Sequence, residues 1–290
     1  MHVLFYLIFW SANLSTAPSP FEMAEPTSVP KVFYQGSLSR DAVQWNNYFA
    51  KNGHEVYYTI QGKNRSYLVM QAFEGKGYGP LQPLAFDSAY IYSDVWVNEA
   101  GNHMQFMSTI PHPATGATDF NLWQSRRVNK VWQKPTLVSE ATAGAGNEGY
   151  PCLTRSGNQY FAVARDGSRN SDIHVVRPGE STSAALPGLV NTTHFEGDAF
   201  IDPDEEYMIF AAFDTPDSQG LSDLQISFNS AEGWSKPKAL TGFNSTGYDG
   251  SPYVSPDGRY LIFTSSRAST EEGPVVFNHY IVQFNKEDYR

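Results

Sequence analysis

Cysteine is almost missing from this chain. Cys152 stands alone among 290 residues, which excludes an internal disulfide framework and a thiolate metal cluster, so the fold must rest on core burial. Charge is sparse as well. Asp, Glu, Lys and Arg make up 17% of the residues, and acids lead bases by 30 to 20 for a formal net charge of −10. That field repels a phosphate backbone and anionic lipid, so neither nucleic acid nor a membrane surface is an expected partner. The apolar run Met1 to Trp10 is too short to span a bilayer as a helix. With the small and polar residues that follow through Pro20 it has the form of a secretory signal. Residues 1–20 are read as a signal peptide and 21–29 as a linker. The mature chain is expected to be secreted or periplasmic, with no stable membrane span once the signal is removed.

Specific catalytic signatures are wanting too. There is no Gly-x-Ser-x-Gly elbow, no His-Glu-x-x-His helix, no Cys/His zinc spacing and no calcium loop. The sequence therefore names no cofactor, and no metal is assigned.

Aromatics are plentiful, with 17 Tyr and 19 Phe, a composition that suits half-buried strands better than charged surface helices. Their arrangement is repetitive. The turns Asn52-Gly53, Ala100-Gly101, Ser156-Gly157, Asp204-Glu205 and Asp257-Gly258 recur at about 50-residue intervals, each between two short β-like runs. Third runs follow, as in Tyr67–Met70 and Asp172–Val175, and prolines at 83, 135, 187 and 237 are expected to open a fourth. The fifth copy ends at Arg290 before such a proline, whereas Pro30–Phe33 resembles Pro237–Leu240. The expected fold is all-β: a single β-propeller over residues 30–290, with five four-stranded blades closed by an N-terminal outer strand. A self-contained monomer is the expected assembly.

The segment Asp249-Gly-Ser-Pro-Tyr-Val-Ser-Pro-Asp-Gly-Arg-Tyr-Leu-Ile-Phe-Thr-Ser-Ser-Arg267 resembles the repeat of TolB-like, WD-repeat-like propellers. Glu196–Phe213 is similar, with Glu205 where glycine is expected. The resemblance implies roles as diverse as protein interaction, peptidase gating and carbohydrate chemistry, and a fold alone does not choose among them.

Aligning the repeats nominates a site. Gln44, Tyr92, Glu148, Glu196 and Asp249 lie just ahead of the inner strands, and two residues on come Asn46, Asp94, Tyr150, Asp198 and Ser251. Carboxylates facing one funnel would raise one another's pKa and divide into acid and base. Asp94, Glu148, Glu196 and Asp249 are the catalytic candidates, with His194 beside Glu196 as a proton carrier. Trp45, Trp96, Asp198, Arg165 and Arg267 are the ligand-binding candidates, since tryptophan stacks on sugars and arginine clamps anionic groups. The same glutamates and Asp249 also read as turn residues whose carboxylates accept backbone N–H bonds. Trp132 and Trp234 read as packing between strands. Two functions stay open: a recognition propeller binding a protein, peptide or glycan at its channel mouth, or a glycoside hydrolase or polysaccharide lyase using the carboxylate funnel. Asn64-Arg-Ser66, Asn191-Thr-Thr193 and Asn244-Ser-Thr246 fit the glycosylation pattern, and the last two are expected to face solvent in inter-blade loops.

Overall fold

The computed structural model describes residues 18–40, 43–144, 146–164, 170–269 and 275–290. The five hairpin turns bend as their residues allow: Gly53, Gly101, Gly157 and Gly258 take φ of 87°, 66°, 88° and 73°, values that cost glycine little. Glu205 occupies the same left-handed place at φ 59°, and its carboxylate explains why glycine is dispensable there. It accepts bonds from Thr154 (2.6 Å), Ser156 (2.5 Å), Asn158 (3.0 Å) and Tyr160 (3.1 Å) of the preceding blade. Those bonds offset the steric cost of a side chain in that region.

Each hairpin begins a sheet, and five sheets ring an axis. The innermost strands are Gln44–Ala50, Tyr92–Val97, Glu148–Leu153, Phe195–Ile201 and Asp249–Val254, which begin blades 1 to 5. Closure follows the expected register. Lys31–Val32 pairs antiparallel with Asn278–Gln283, placing Lys31 opposite Ile281 and Val32 opposite Tyr280. Ser39 seals that joint by donating to the carbonyls of Phe33 (2.9 Å) and His279 (3.0 Å). No edge of the last blade is left open on that side.

Three expectations need amending. The outer strands are Gln82–Pro83, Thr136–Leu137, Ala184–Ala185 and Lys238–Ala239. Proline therefore precedes the strand in blades 2 and 4 but ends it in blade 1 and follows it in blade 3. Residues 19–24, at the edge of the stretch read as linker, hold a docked helical turn, Pro20–Met23. Ser19 and Glu22 cap each other, and the fully buried Phe21 ring packs on Phe49 and Tyr253. Residues 1–17, the body of the predicted signal, lie outside the described residues. Finally, Asn191 and Asn244 turn inward: the Asn191 amide exchanges bonds with both backbone groups of Ile173, and Asn244 does the same with Leu224. Of the three glycosylation patterns, only Asn64 has an exposed asparagine.

Candidate functional site

All five inner strands enter the ring from the same end, so the channel has a leading-loop end and a hairpin end. Between them every inner strand carries a bulge. Asn46, Asp94, Tyr150, Asp198 and Ser251 have φ of 56°, 53°, 52°, 53° and 50°, and the pairing register shifts just there in each blade. An extra residue bends a strand and leaves its N–H unpaired, and neighbouring blades supply the missing acceptors. Ser251 Oγ accepts from Asn46 N (3.0 Å), Thr59 Oγ1 from Asp94 N (3.2 Å), and Asp198 from Ser251 N (2.5 Å). Asp198 also accepts from the hydroxyls of Ser251 and Tyr248 and from the Asn46 amide.

This bulge ring brings Asp94 and Asp198 together. Burial and the nearby Asp198 charge push Asp94 up to about 7, although Ser93, the Tyr150 backbone N–H and Trp45 bond it. Burial also raises Asp198, against the bonds from Ser251, Tyr248 and Asn46. The channel is nearly closed at this level, with a void of only about 10 Å³ among Asn46, Tyr150, Asp198 and Ser251.

At the leading-loop end, the three remaining carboxylate candidates each serve the loop just before them. Glu148 accepts from Gly144 N (3.0 Å), Glu196 from Thr192 N (3.0 Å) and from the Thr192 hydroxyl, and Asp249 from Ser245 N (2.6 Å) and Ser245 Oγ (2.7 Å). Each bond spans four residues, so one device recurs in three blades. Arg267 pairs with Asp249 at 2.7 Å, donates to the Phe243 carbonyl and Ser265 Oγ, and lies over the Phe263 and Tyr280 rings. Its guanidinium is thus occupied within the blade. Among these carboxylates Glu148 alone keeps a buried oxygen, Oε2, with no bonding partner among the described residues. Burial, aided by the Asp119 charge, pushes its pKa up to about 7. His194 is half-buried and its backbone N–H donates to Thr192 Oγ1 at 3.1 Å. Trp45 donates to Ser93 Oγ at 3.2 Å. Arg165 lies outside the described residues.

The hairpin end is built differently. Two residues beyond each bulge stand Tyr48, Trp96, Cys152, Phe200 and Tyr253. The four aromatics floor a cavity of about 730 Å³. Tyr48 meets Tyr253 edge-on at 4.9 Å and Trp96 at 6.1 Å, and Phe200 lies 5.9 Å from Tyr253. Cys152 lies beneath the wall, its thiol pushed up to about 12 by burial and turned to the Ile201 carbonyl. The rim carries Glu99, Asp202, Asp204, Glu206, Asp257 and Glu287 against Arg155 and Lys286. Both cations are already engaged, Arg155 with Asp204 and Lys286 with Glu206. Burial raises Glu99 and Asp202 above the ordinary carboxylate range, even though Asn52 N bonds Glu99 and Glu206 N bonds Asp202.

Among the described residues, Trp96 is therefore the one predicted ligand residue in this cavity. Its partners Tyr48, Phe200 and Tyr253 stand in the same register of their inner strands, a periodic signal present in the sequence. Trp132 and Trp234 pack against Tyr57 and Tyr160 of neighbouring blades, as expected. Among the described residues, no cluster of three or more His, Cys, Asp or Glu is arranged to hold a metal ion, and no helix is long and apolar enough to cross a membrane.

No protein-family model matches the chain, and no curated protein matches its sequence. Solved structures do resemble it. A thermostable family-43 glycoside hydrolase superposes with a TM-score of 0.56 at 14% identity, covering 86% of this chain and 91% of that one. A putative TolB from Agrobacterium tumefaciens gives 0.53 at 13%, covering 84% and 91%. TolB from Acinetobacter baumannii gives 0.52 at 11%, covering 84% of this chain, which spans 55% of that protein's length. At such identities what these proteins share with this chain is the β-propeller fold.

Proposed function

We propose that the chain is a secreted or periplasmic recognition propeller that holds a protein segment, peptide or glycan in the hairpin-end cavity. The aromatic floor over a closed channel carries this reading. A concave site of this volume, apolar at its base with polar groups at its edge, is the usual form of a binding pocket. The leading-loop end offers less free chemistry, because most of its carboxylates are bonded to their own loops. The apolar leader Met1–Trp10 supports export. Binding of short-peptide and oligosaccharide panels, followed by calorimetry, tests the assignment. Tyr48→Leu, which keeps bulk and removes the ring face, is expected to weaken binding about tenfold, with Glu148→Gln neutral. Unchanged binding by Tyr48→Leu would place the site elsewhere.

One observation favours the glycosidase or lyase alternative: Glu148 combines an unpartnered buried oxygen with a pKa near 7, the state a general acid needs at neutral pH. Turnover of a glycan panel that falls on the order of a hundredfold in Glu148→Gln, and likewise in Glu196→Gln, would support it. Wild-type protein inert on the whole panel, or variants of full activity, would remove it.

A further inference from the structure

The acidic rim and the aromatic floor of the hairpin-end cavity constrain its ligand together. We propose that the cavity selects a cationic ligand, the lysine or arginine side chain of a peptide, whose stem lies on the aromatic floor and whose charge meets Glu99 and Asp202. This inference rests on the recognition reading and names the chemistry that the same site accepts.

Three features converge on that class. Four of the six rim carboxylates are ion-paired, Asp204 with Arg155, Glu206 with Lys286, Asp257 with Arg259 and Glu287 with Arg290, whereas Glu99 and Asp202 have no ion pair among the described residues, so these two leave the opening with unbalanced negative charge. Glu99 and Asp202 belong to blades 2 and 4, across the cavity from each other in ring order. Each uses one oxygen for backbone N–H bonds: Glu99 Oε1 accepts from Asn52 N at 2.5 Å, and Asp202 Oδ2 accepts from Asp204 N at 3.0 Å and Glu206 N at 3.4 Å. No donor among the described residues bonds the second oxygen of either group. An arriving ammonium or guanidinium supplies that donor to the exposed Glu99 and the partly buried Asp202.

The floor adds a second attraction. Trp96, Tyr48 and Tyr253 line the cavity, Trp96 and Tyr253 largely buried and Tyr48 partly exposed, and aromatic rings attract cations most strongly when tryptophan is among them. A neutral sugar would gain stacking but not the rim charge. An acidic sugar or peptide would meet repulsion at the opening.

Calorimetric titration of the full chain with trilysine, its Nε-acetylated form, triglutamate and a set of neutral oligosaccharides tests this directly. Trilysine is expected to bind at least about tenfold more tightly than acetylated trilysine, with triglutamate silent. The double variant Glu99→Gln/Asp202→Asn retains an acceptor oxygen for every backbone N–H bond. It should lose about tenfold or more in trilysine affinity while keeping its unfolding midpoint. Trilysine binding no better than its acetylated form, or unaffected by the double variant, would overturn the cationic assignment. If neutral oligosaccharides then bind and Tyr48→Leu weakens them, the cavity survives as a recognition site for another ligand class. If no probe responds to Tyr48→Leu, both inferences fall.

Discussion

The two ends of the channel spend acidic side chains in opposite ways. At the leading-loop end, Glu196 and Asp249 are almost fully buried and turn back on residues four positions upstream. At the hairpin end, Glu99 and Asp202 keep one oxygen for the backbone and leave the other toward a cavity floored by aromatics. A buried carboxylate with several donors holds a loop in place. A half-bonded one beside open volume keeps its second oxygen available to a ligand. Acidic residues at the two ends thus perform two jobs, separated by the bulge ring.

The strongest way to break this contrast is to remove Asp249. Asp249→Ala strips the Ser245 loop of its acceptor and leaves the Arg267 guanidinium, mostly buried, without its carboxylate. Truncating one partner of a buried pair costs about 3–5 kcal/mol, and urea unfolding should show it as a lowered midpoint at unchanged slope. A loss under about 1 kcal/mol would mean that the leading-loop end is not held by its carboxylates.

Glu205 tests the middle of the scale, since it lies at the hairpin end yet behaves as a clamp. Burial alone would raise its pKa, but bonds from Ser156, Thr154, Asn158 and Tyr160 outweigh burial and lower it. Glu205→Gln keeps the shape and weakens charge-assisted bonds at a partly exposed place, so a loss of about 1–2 kcal/mol is expected. Glu205→Gly should relieve backbone strain and still destabilise, because the blade 3 donors lose their common acceptor. A neutral or stabilising Glu205→Gly would show that the turn wanted glycine all along.

Much of this was legible in the sequence, and the illegible part has a physical cause. Turn glycines, strand alternation and the displaced closing strand are local or periodic signals, so blade number and closure followed from them. The shared register of Asp94 and Asp198 was legible from the repeat, but the left-handed bulges that carry it were not, because residue types such as Tyr150 and Ser251 do not announce them. Glu148, Glu196 and Asp249 could be read as funnel or turn residues from composition alone. Only the Gly144, Thr192 and Ser245 donors reveal which bonds they make. The cavity was not legible because its aromatics lie along strands, where rings ordinarily signal core.

pH separates the two kinds of carboxylate by sign. Glu148 and Asp94 are pushed up to about 7 in the folded chain, above the ordinary values they regain on unfolding. Between those values the folded state binds protons that the unfolded state releases. Their contribution is therefore complete below the unfolded pKa and lost as pH rises through 7. Glu205 and Asp257 are lowered, by hydrogen bonds that outweigh burial, so their contribution holds above the unfolded pKa and fades as pH falls. Unfolding measured from about pH 5 to 8 should decline more gently in Glu148→Gln and Asp94→Asn than in the wild type. An identical slope in both variants would mean that neither group holds its proton in the folded state.

The smallest effect is the sharpest test of the comparison. Glu99 and Asp202 are both raised by burial against the wall of the cavity, so the folded chain disfavours their charged forms at neutral pH. Replacement by Gln and Asn removes that penalty and preserves an oxygen for Asn52 N, Asp204 N and Glu206 N. The expected change in stability at pH 7 is within about 0.5 kcal/mol and, if resolved, upward. Such a result would identify two acidic residues that the fold carries at no benefit to itself, which is how a binding group differs from a structural one. The same variants destabilising the chain as Asp249→Ala does would make the hairpin-end carboxylates loop supports as well, and the division between the two ends would disappear.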